Sequence, residues 1–215
     1  MKKNLLLFFF LIFSYDFLHA ASFNCDLAKS NVEKMICDSP TLSLQDENMG
    51  SLYSSLIKIY SNAIPIRIWQ KSWLIERNEC KDSKCLEDAY IKRISILKSA
   101  LAADAATKKW TGYYSRYINK SKDTDSSNIL LVALDNSKVF VEGHSIWVGN
   151  VKTGNVNLGE IIGIGNLKGS VVTESVKDEF CSSRLILTAN NSLLVDSEQS
   201  GCGGMNVTFK GEYFK

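Results

Sequence analysis

The feature that most constrains the fold of this 215-residue chain is a change of hydrophobic period at Trp110. From Ser39 to about Leu101 the apolar residues recur at intervals of three and four, the spacing that places them on one face of a helix. From Trp110 onward they alternate in short runs separated by turn residues, the pattern of an antiparallel sheet. The two periods demand two kinds of structure, helices first and sheet second.

In the helical half, Ser39-Pro40 predicts a helix start, with a capping serine and a proline preset for the first turn. Met49, Leu52, Tyr53, Leu56 and Tyr60 then form one stripe. Ser61-Asn62-Ala63 with Pro65 breaks the pattern, and a second helix carries Ile68, Ser72, Ile75, Trp69 and Trp73. After a short Lys81-Asp82-Ser83-Lys84 turn, a third helix carries Leu86, Tyr90, Ile94 and Leu97. With a short helix near Val32 to Ile36, the expectation is a three-to-four-helix bundle. Residues 102–109 contain no Pro or Gly and read as an extension of the third helix towards the first strand.

In the sheet half, the expected strands are Thr111–Ile118, Asn128–Leu134, Val139–Val148, Val156–Ile164, Ser170–Val176, Ser183–Thr188, Leu193–Ser197 and Asn206–Phe214. Eight short strands fit a small barrel or sandwich, folds that dispose of sheet edges. Gly112-Tyr113-Tyr114 and Gly211-Glu212-Tyr213 echo each other, so the first and last strands are expected to pair and close a barrel. The fold class is therefore α+β: a helical bundle at 22–103 and an antiparallel β-barrel-like domain at 110–215.

The first 21 residues read as a secretory signal, with Lys2 and Lys3, an apolar run from Leu5 to Phe13 and small Ala20 and Ala21. That run is short of the roughly 20 residues a membrane-spanning helix needs, and no later segment approaches that length. Ser22, Phe23 and Asn24 fit a lipid-anchor box before Cys25 poorly. The expected location is the periplasm or the exterior. All six cysteines (Cys25, Cys37, Cys80, Cys85, Cys181 and Cys202) follow the signal and read as a disulfide framework. Six cysteines allow fifteen connectivities. Their clustering suggests local pairs, 25 with 37, 80 with 85 and 181 with 202, the last removing about 3 kcal/mol of unfolded-state freedom in the chain-entropy model. A zinc site is the rival reading, but no CxxC occurs and the mature chain has one histidine.

Charge argues against a nucleic-acid or membrane-surface partner: 25 basic residues face 23 acidic ones, and neither half is strongly charged. A catalytic constellation is also not evident. His144, in Val141-Glu142-Gly143-His144-Ser145, lies on an expected strand where adjacent side chains point to opposite faces, so it reads as a sheet residue rather than a triad base. The carboxylate pairs Asp178-Glu179 and Glu87-Asp88 sit in solvated stretches. Gly163-Ile164-Gly165 lacks the strand-to-helix setting of a nucleotide fingerprint. The expectation is a binding protein without cofactor or metal, with Tyr113, Tyr114, Tyr117 and Trp147 as candidate surface aromatics of the barrel.

One spaced set in the helical half is distinctive: Cys25, Val32-Glu33-Lys34, Cys37, Pro40, Leu42, Asp46, Tyr53, Gln70, Trp73-Leu74, Arg77, Cys80, Cys85, Tyr90, Arg93 and Leu97. Over about 80 residues it resembles the N-terminal domain of the LprI-type lysozyme inhibitor family, small exported helical domains. The resemblance implies a lysozyme or other muramidase as partner. Of the matched positions, Asp46, Tyr53, Gln70, Trp73, Arg77, Tyr90 and Arg93 are expected to serve mainly the fold, with Asp46 and Arg77 paired across helices and Trp73, Tyr53 and Leu97 in or near the core.

Overall fold

A computed structural model describes residues 21–123, 126–176, 182–198 and 202–215. The leader, Cys181 and the pair Asp178-Glu179 lie outside the described residues. The helices are α1 (Asn31–Asp38), α2 (Pro40–Ile59), α3 (Ile64–Asn78), α4 (Ser83–Ala102) and the short α5 (Ala105–Lys108). Their starts follow local chemistry. Ser30 and Glu33 form a reciprocal capping box on α1, Ser39 caps α2 ahead of Pro40, and Asp82 caps α4 by accepting from the Cys85 N–H at 2.8 Å. The linker does not simply extend the third helix. Asp104 caps a new turn, accepting from the backbone N–H of Thr107 at 2.8 Å, so the chain breaks at Ala103 and restarts as α5.

Disulfides join Cys25 to Cys37 and Cys80 to Cys85, and Cys202 is also disulfide-bonded. The first ties the segment before α1 to its last turn. The second closes the α3–α4 turn. Ile75 departs from its expected place on a buried stripe and is 60% exposed, because the buried face of α3 runs through Ile66, Trp69, Gln70, Trp73 and Arg77.

The sheet comprises β1 (Gly112–Ile118), β2 (Ser121–Lys122), β3 (Asn128–Leu134), β4 (Lys138–Asn150), β5 (Asn155–Lys168), β6 (Val171–Val176), β7 (Ser182–Leu187), β8 (Leu193–Glu198) and β9 (Gly211–Phe214). All pairings are antiparallel. The order β1-β3-β4-β5-β6-β7-β8-β9 closes through β1–β9, with Arg116 opposite Tyr213, and β2 is a short hairpin arm on β1. The expected closure of first strand on last is therefore present. The β3–β4 hairpin turns through Asn136 and Ser137, both at φ 54°, the left-handed pair that a tight two-residue hairpin requires.

The last strand is shorter than Asn206–Phe214. Residues 206–210 are not strand; there Arg116 Nη1 donates to the carbonyl of Thr208, and the buried Phe209 ring belongs to the interior core. Tyr114, expected at the surface, is fully buried there too, and its hydroxyl donates to the Trp110 carbonyl at 2.9 Å.

Strand β3 joins the halves. Ile129 and Leu131 point into the barrel, while Leu130, Val132 and Leu134 belong to the core formed with the helices. Polar contacts fasten the same seam: the Tyr60 hydroxyl lies 3.0 Å from Thr111 Oγ1, and Ser99 Oγ donates to Asp135 Oδ1 at 2.6 Å. Burying three large aliphatic side chains of β3 against the helices contributes roughly 1.5–3 kcal/mol each. The helices therefore share a continuous core with the barrel wall.

Candidate ligand cleft between the helices and the barrel

The seam is not closed along its whole length. Where α3 and α4 pass over β4 and β5, a cavity of about 520 Å³ opens, within the range of roughly 300–1,000 Å³ typical of small-molecule sites. Helix α3 supplies Trp69, Ser72, Trp73 and Glu76 to its wall, α4 supplies Asp88, Ala89, Lys92, Arg93 and Ile96, and the barrel supplies Phe140, Glu142 and Ile162. Helical spacing puts Trp69, Ser72, Trp73 and Glu76 on one face of α3, and strand alternation puts Phe140 and Glu142 on the outer face of β4.

A buried polar network stands behind this wall. Arg93 is only 3% exposed. Its Nε and Nη2 donate to Gln70 Oε1 at 3.1 and 2.8 Å, and its guanidinium lies 4.0 Å from the Trp69 ring centroid and 5.6 Å from that of Trp73. Gln70 is held in turn by Met49, whose sulfur accepts from Nε2 at 3.0 Å. Burial pushes the Arg93 pKa down to about 9, with Glu76 and Glu142 opposing the fall, so the group remains protonated at neutral pH.

Next to it, Arg77 Nη1 donates to the Tyr90 hydroxyl at 3.0 Å, and that hydroxyl donates to Asp46 Oδ1 at 2.7 Å. Arg77 and Asp46 are 3.6 Å apart and both are buried, as expected for a pair across helices. Asp46 Oδ2 accepts from the Ser22 backbone N–H at 2.7 Å. Desolvation raises the Tyr90 phenol well above the ordinary range. It therefore stays a neutral donor to the carboxylate. Trp73 packs edge-on against Tyr90 with centroids 5.4 Å apart. Thus six of the seven motif residues, Asp46, Gln70, Trp73, Arg77, Tyr90 and Arg93, form one contiguous assembly; Tyr53 is half-buried at the edge of the helical core.

On the barrel side, Glu142 is buried and accepts from Ser72 Oγ at 2.8 Å and pairs with His144 Nε2 at 3.3 Å. The bond to Glu142 raises the His144 pKa above its ordinary value. The carboxylate sits between the serine and the histidine. In a nucleophilic triad the imidazole would occupy that middle place, so this chain orients rather than activates Ser72. His144 is the hydrogen-bonded sheet residue expected, and Asp88 is engaged by Lys84 at 2.7 Å on the solvent side. Among the described residues no group of three or more His, Cys, Asp or Glu side chains is placed to hold a metal ion.

The cleft itself is not visible in the sequence, since it joins residues about 70 positions apart. One signal was available: Glu142 and His144 are two apart on a strand and must share a face. No family model matches the chain, and searches of curated proteins and of solved structures also give no match.

Proposed function

We propose that this protein is an exported, non-catalytic binding protein of the LprI type, that it works through the cleft between α3, α4 and β4, and that a lysozyme-type muramidase is its target. The observation that carries this reading is that the motif residues Trp73, Arg77 and Arg93 line one open cleft, with Gln70 behind them orienting Arg93. The same assembly that stabilises the helices thereby presents a rigid surface, and a surface held in advance by disulfides and a shared core binds with little ordering cost. Export is supported by the leader and by cysteines paired in disulfides, bonds that persist in oxidising compartments. No helix among the described residues is long and apolar enough to cross a membrane.

A container role for the barrel has less support. Trp110, Tyr114, Phe209 and Tyr213 fill the interior, and the space for a ligand lies outside it.

The test is clearance of a cell-wall suspension by lysozyme, with and without the purified mature protein and its Ala89→Trp variant, whose indole would occupy the cleft. Inhibition by the wild type that is lost in the variant supports the reading. No inhibition at excess protein rejects the muramidase target, and equal inhibition by both proteins rejects the cleft as the surface.

A further inference from the structure

The hydrogen-bonding capacity left over in the cleft identifies the chemistry of what enters it. Of the three carboxylates on its wall, Asp88 is hydrogen-bonded to Lys84 and Glu142 to Ser72 and His144, and Glu76 and Glu142 both act electrostatically on Arg93. The cations are not all used. Arg77 is bound to Tyr90, Asp46 and Asn78, but Arg93 spends only Nε and Nη2 on Gln70, and Lys92 on the rim makes no hydrogen bond or ion pair among the described residues. Arg93 Nη1 has no hydrogen-bond partner among the described residues and is not one of the fully buried unsatisfied atoms, so it keeps access to an acceptor entering the cleft that Arg93 lines.

Beside these donors the wall is apolar. Trp73 is held in place by Tyr90, and Phe140 by Trp69 at 5.3 Å between centroids, so the surface is rigid. Charge also limits the ligand. The cleft carries three cationic and three anionic side chains, so a compact dianion would meet three carboxylates without a net attractive field. A single negative charge, placed locally between two donors and attached to an apolar body, meets the attraction without the full repulsion.

We propose that the cleft binds a monocarboxylate with an apolar body, its carboxylate held by Arg93 Nη1 and Lys92 and its body by Trp73, Phe140, Ile96 and Ile162. A free organic acid and the C-terminal residue of a peptide offer the same chemistry. The inference rests on the cleft being the binding surface, and does not depend on the target being a muramidase.

The experiment is calorimetric titration of the mature protein with N-acetyl-L-phenylalanine, with its amide, with an alanine-rich pentapeptide ending in phenylalanine as free acid and as amide, and with inorganic phosphate. Each free acid is expected to bind at least about tenfold more tightly than its amide, as loss of a charge-assisted hydrogen bond implies. Tighter binding of the acetylated amino acid indicates a free acid as the natural source, and tighter binding of the peptide acid indicates a chain terminus. Lys92→Met, an exposed change, is expected to weaken acid binding about fivefold or more, and Ala89→Trp to abolish it, both with an unchanged melting temperature. Equal binding of acid and amide, binding of phosphate as tight as that of the acids, or no binding at all overturns the proposal. Carboxylate binding without lysozyme inhibition removes the muramidase target and leaves this inference standing. Lysozyme inhibition lost in Ala89→Trp but without carboxylate binding does the reverse.

Discussion

Inside the barrel, Trp110, Tyr114, Phe209 and Tyr213 pack against aliphatic side chains, and the Tyr114 and Tyr213 hydroxyls close on carbonyls four residues upstream, at 2.9 and 2.7 Å. Between the helices, Asp46, Gln70, Arg77 and Arg93 are also buried, and apart from the Ser22 backbone N–H on Asp46 their hydrogen bonds run to other side chains. The cluster at the centre of the barrel is apolar, and the barrel also carries a buried ion pair beside it, Arg116 of β1 with Asp123. The helical core is a charged solution, and a buried ion pair often contributes less stability than an apolar replacement would. Lying beside an open cleft, this core shapes a surface as well as holding the fold, and the barrel supplies the opposite wall.

The largest expected effect breaks the charged core. Asp46→Ala leaves Arg77 buried without its carboxylate and should cost about 3–5 kcal/mol, read from denaturant unfolding. A loss below about 1 kcal/mol would mean that water replaces the carboxylate and that the network is not dry.

The second pair of variants asks whether the two cores are one folding unit. Leu131→Ala inside the barrel and Leu130→Ala against the helices should each cost about 2–5 kcal/mol, because both side chains are almost fully buried. A single unfolding transition, shifted by either change, is expected from near- and far-ultraviolet circular dichroism together. Two separate transitions would show that the halves unfold independently despite β3.

A smaller change sharpens the seam. Ser72→Ala removes one hydrogen bond to buried Glu142 and should cost about 1 kcal/mol. In a double-mutant cycle with Glu142→Ala, which removes the acceptor, the two losses should not add, and additivity would mean that the bond contributes nothing.

The smallest effect is a pH dependence. The His144 pKa is raised in the folded protein, so its contribution is fully present below the unfolded value of about 6.5 and is lost as pH rises through the higher folded value. His144→Asn should flatten stability against pH across that window, and an unchanged profile would assign the titration elsewhere.

The sequence made the elements legible where local chemistry decides them. The Ser39-Pro40 helix start and the first-to-last closure of the barrel are local or symmetric signals. What it did not show was the seam. Ile129-Leu130-Leu131-Val132-Ala133-Leu134 lacks polar alternation, the signature of a strand buried on both faces, but a run of that kind does not say which partner covers its second face. The Asp46–Arg77 pair was readable because both residues belong to one spaced motif. The Ser72–Glu142 bond was not, because it joins a helix and a strand whose approach depends on the whole seam. Alternation continues through Asn206–Phe214, yet the Thr208 carbonyl bonds to the Arg116 side chain and the strand begins only at Gly211.

Chemical-shift mapping of the mature protein titrated with N-acetyl-L-phenylalanine and, separately, with lysozyme decides whether the cleft at the seam is the binding surface. The largest changes are expected at the Trp69 and Trp73 indole signals and at the Lys92, Phe140 and Glu142 amides, with little change inside the barrel. Shifts confined to the exposed Val156, Leu158 and Met205 region, with the cleft signals unmoved, would contradict that role.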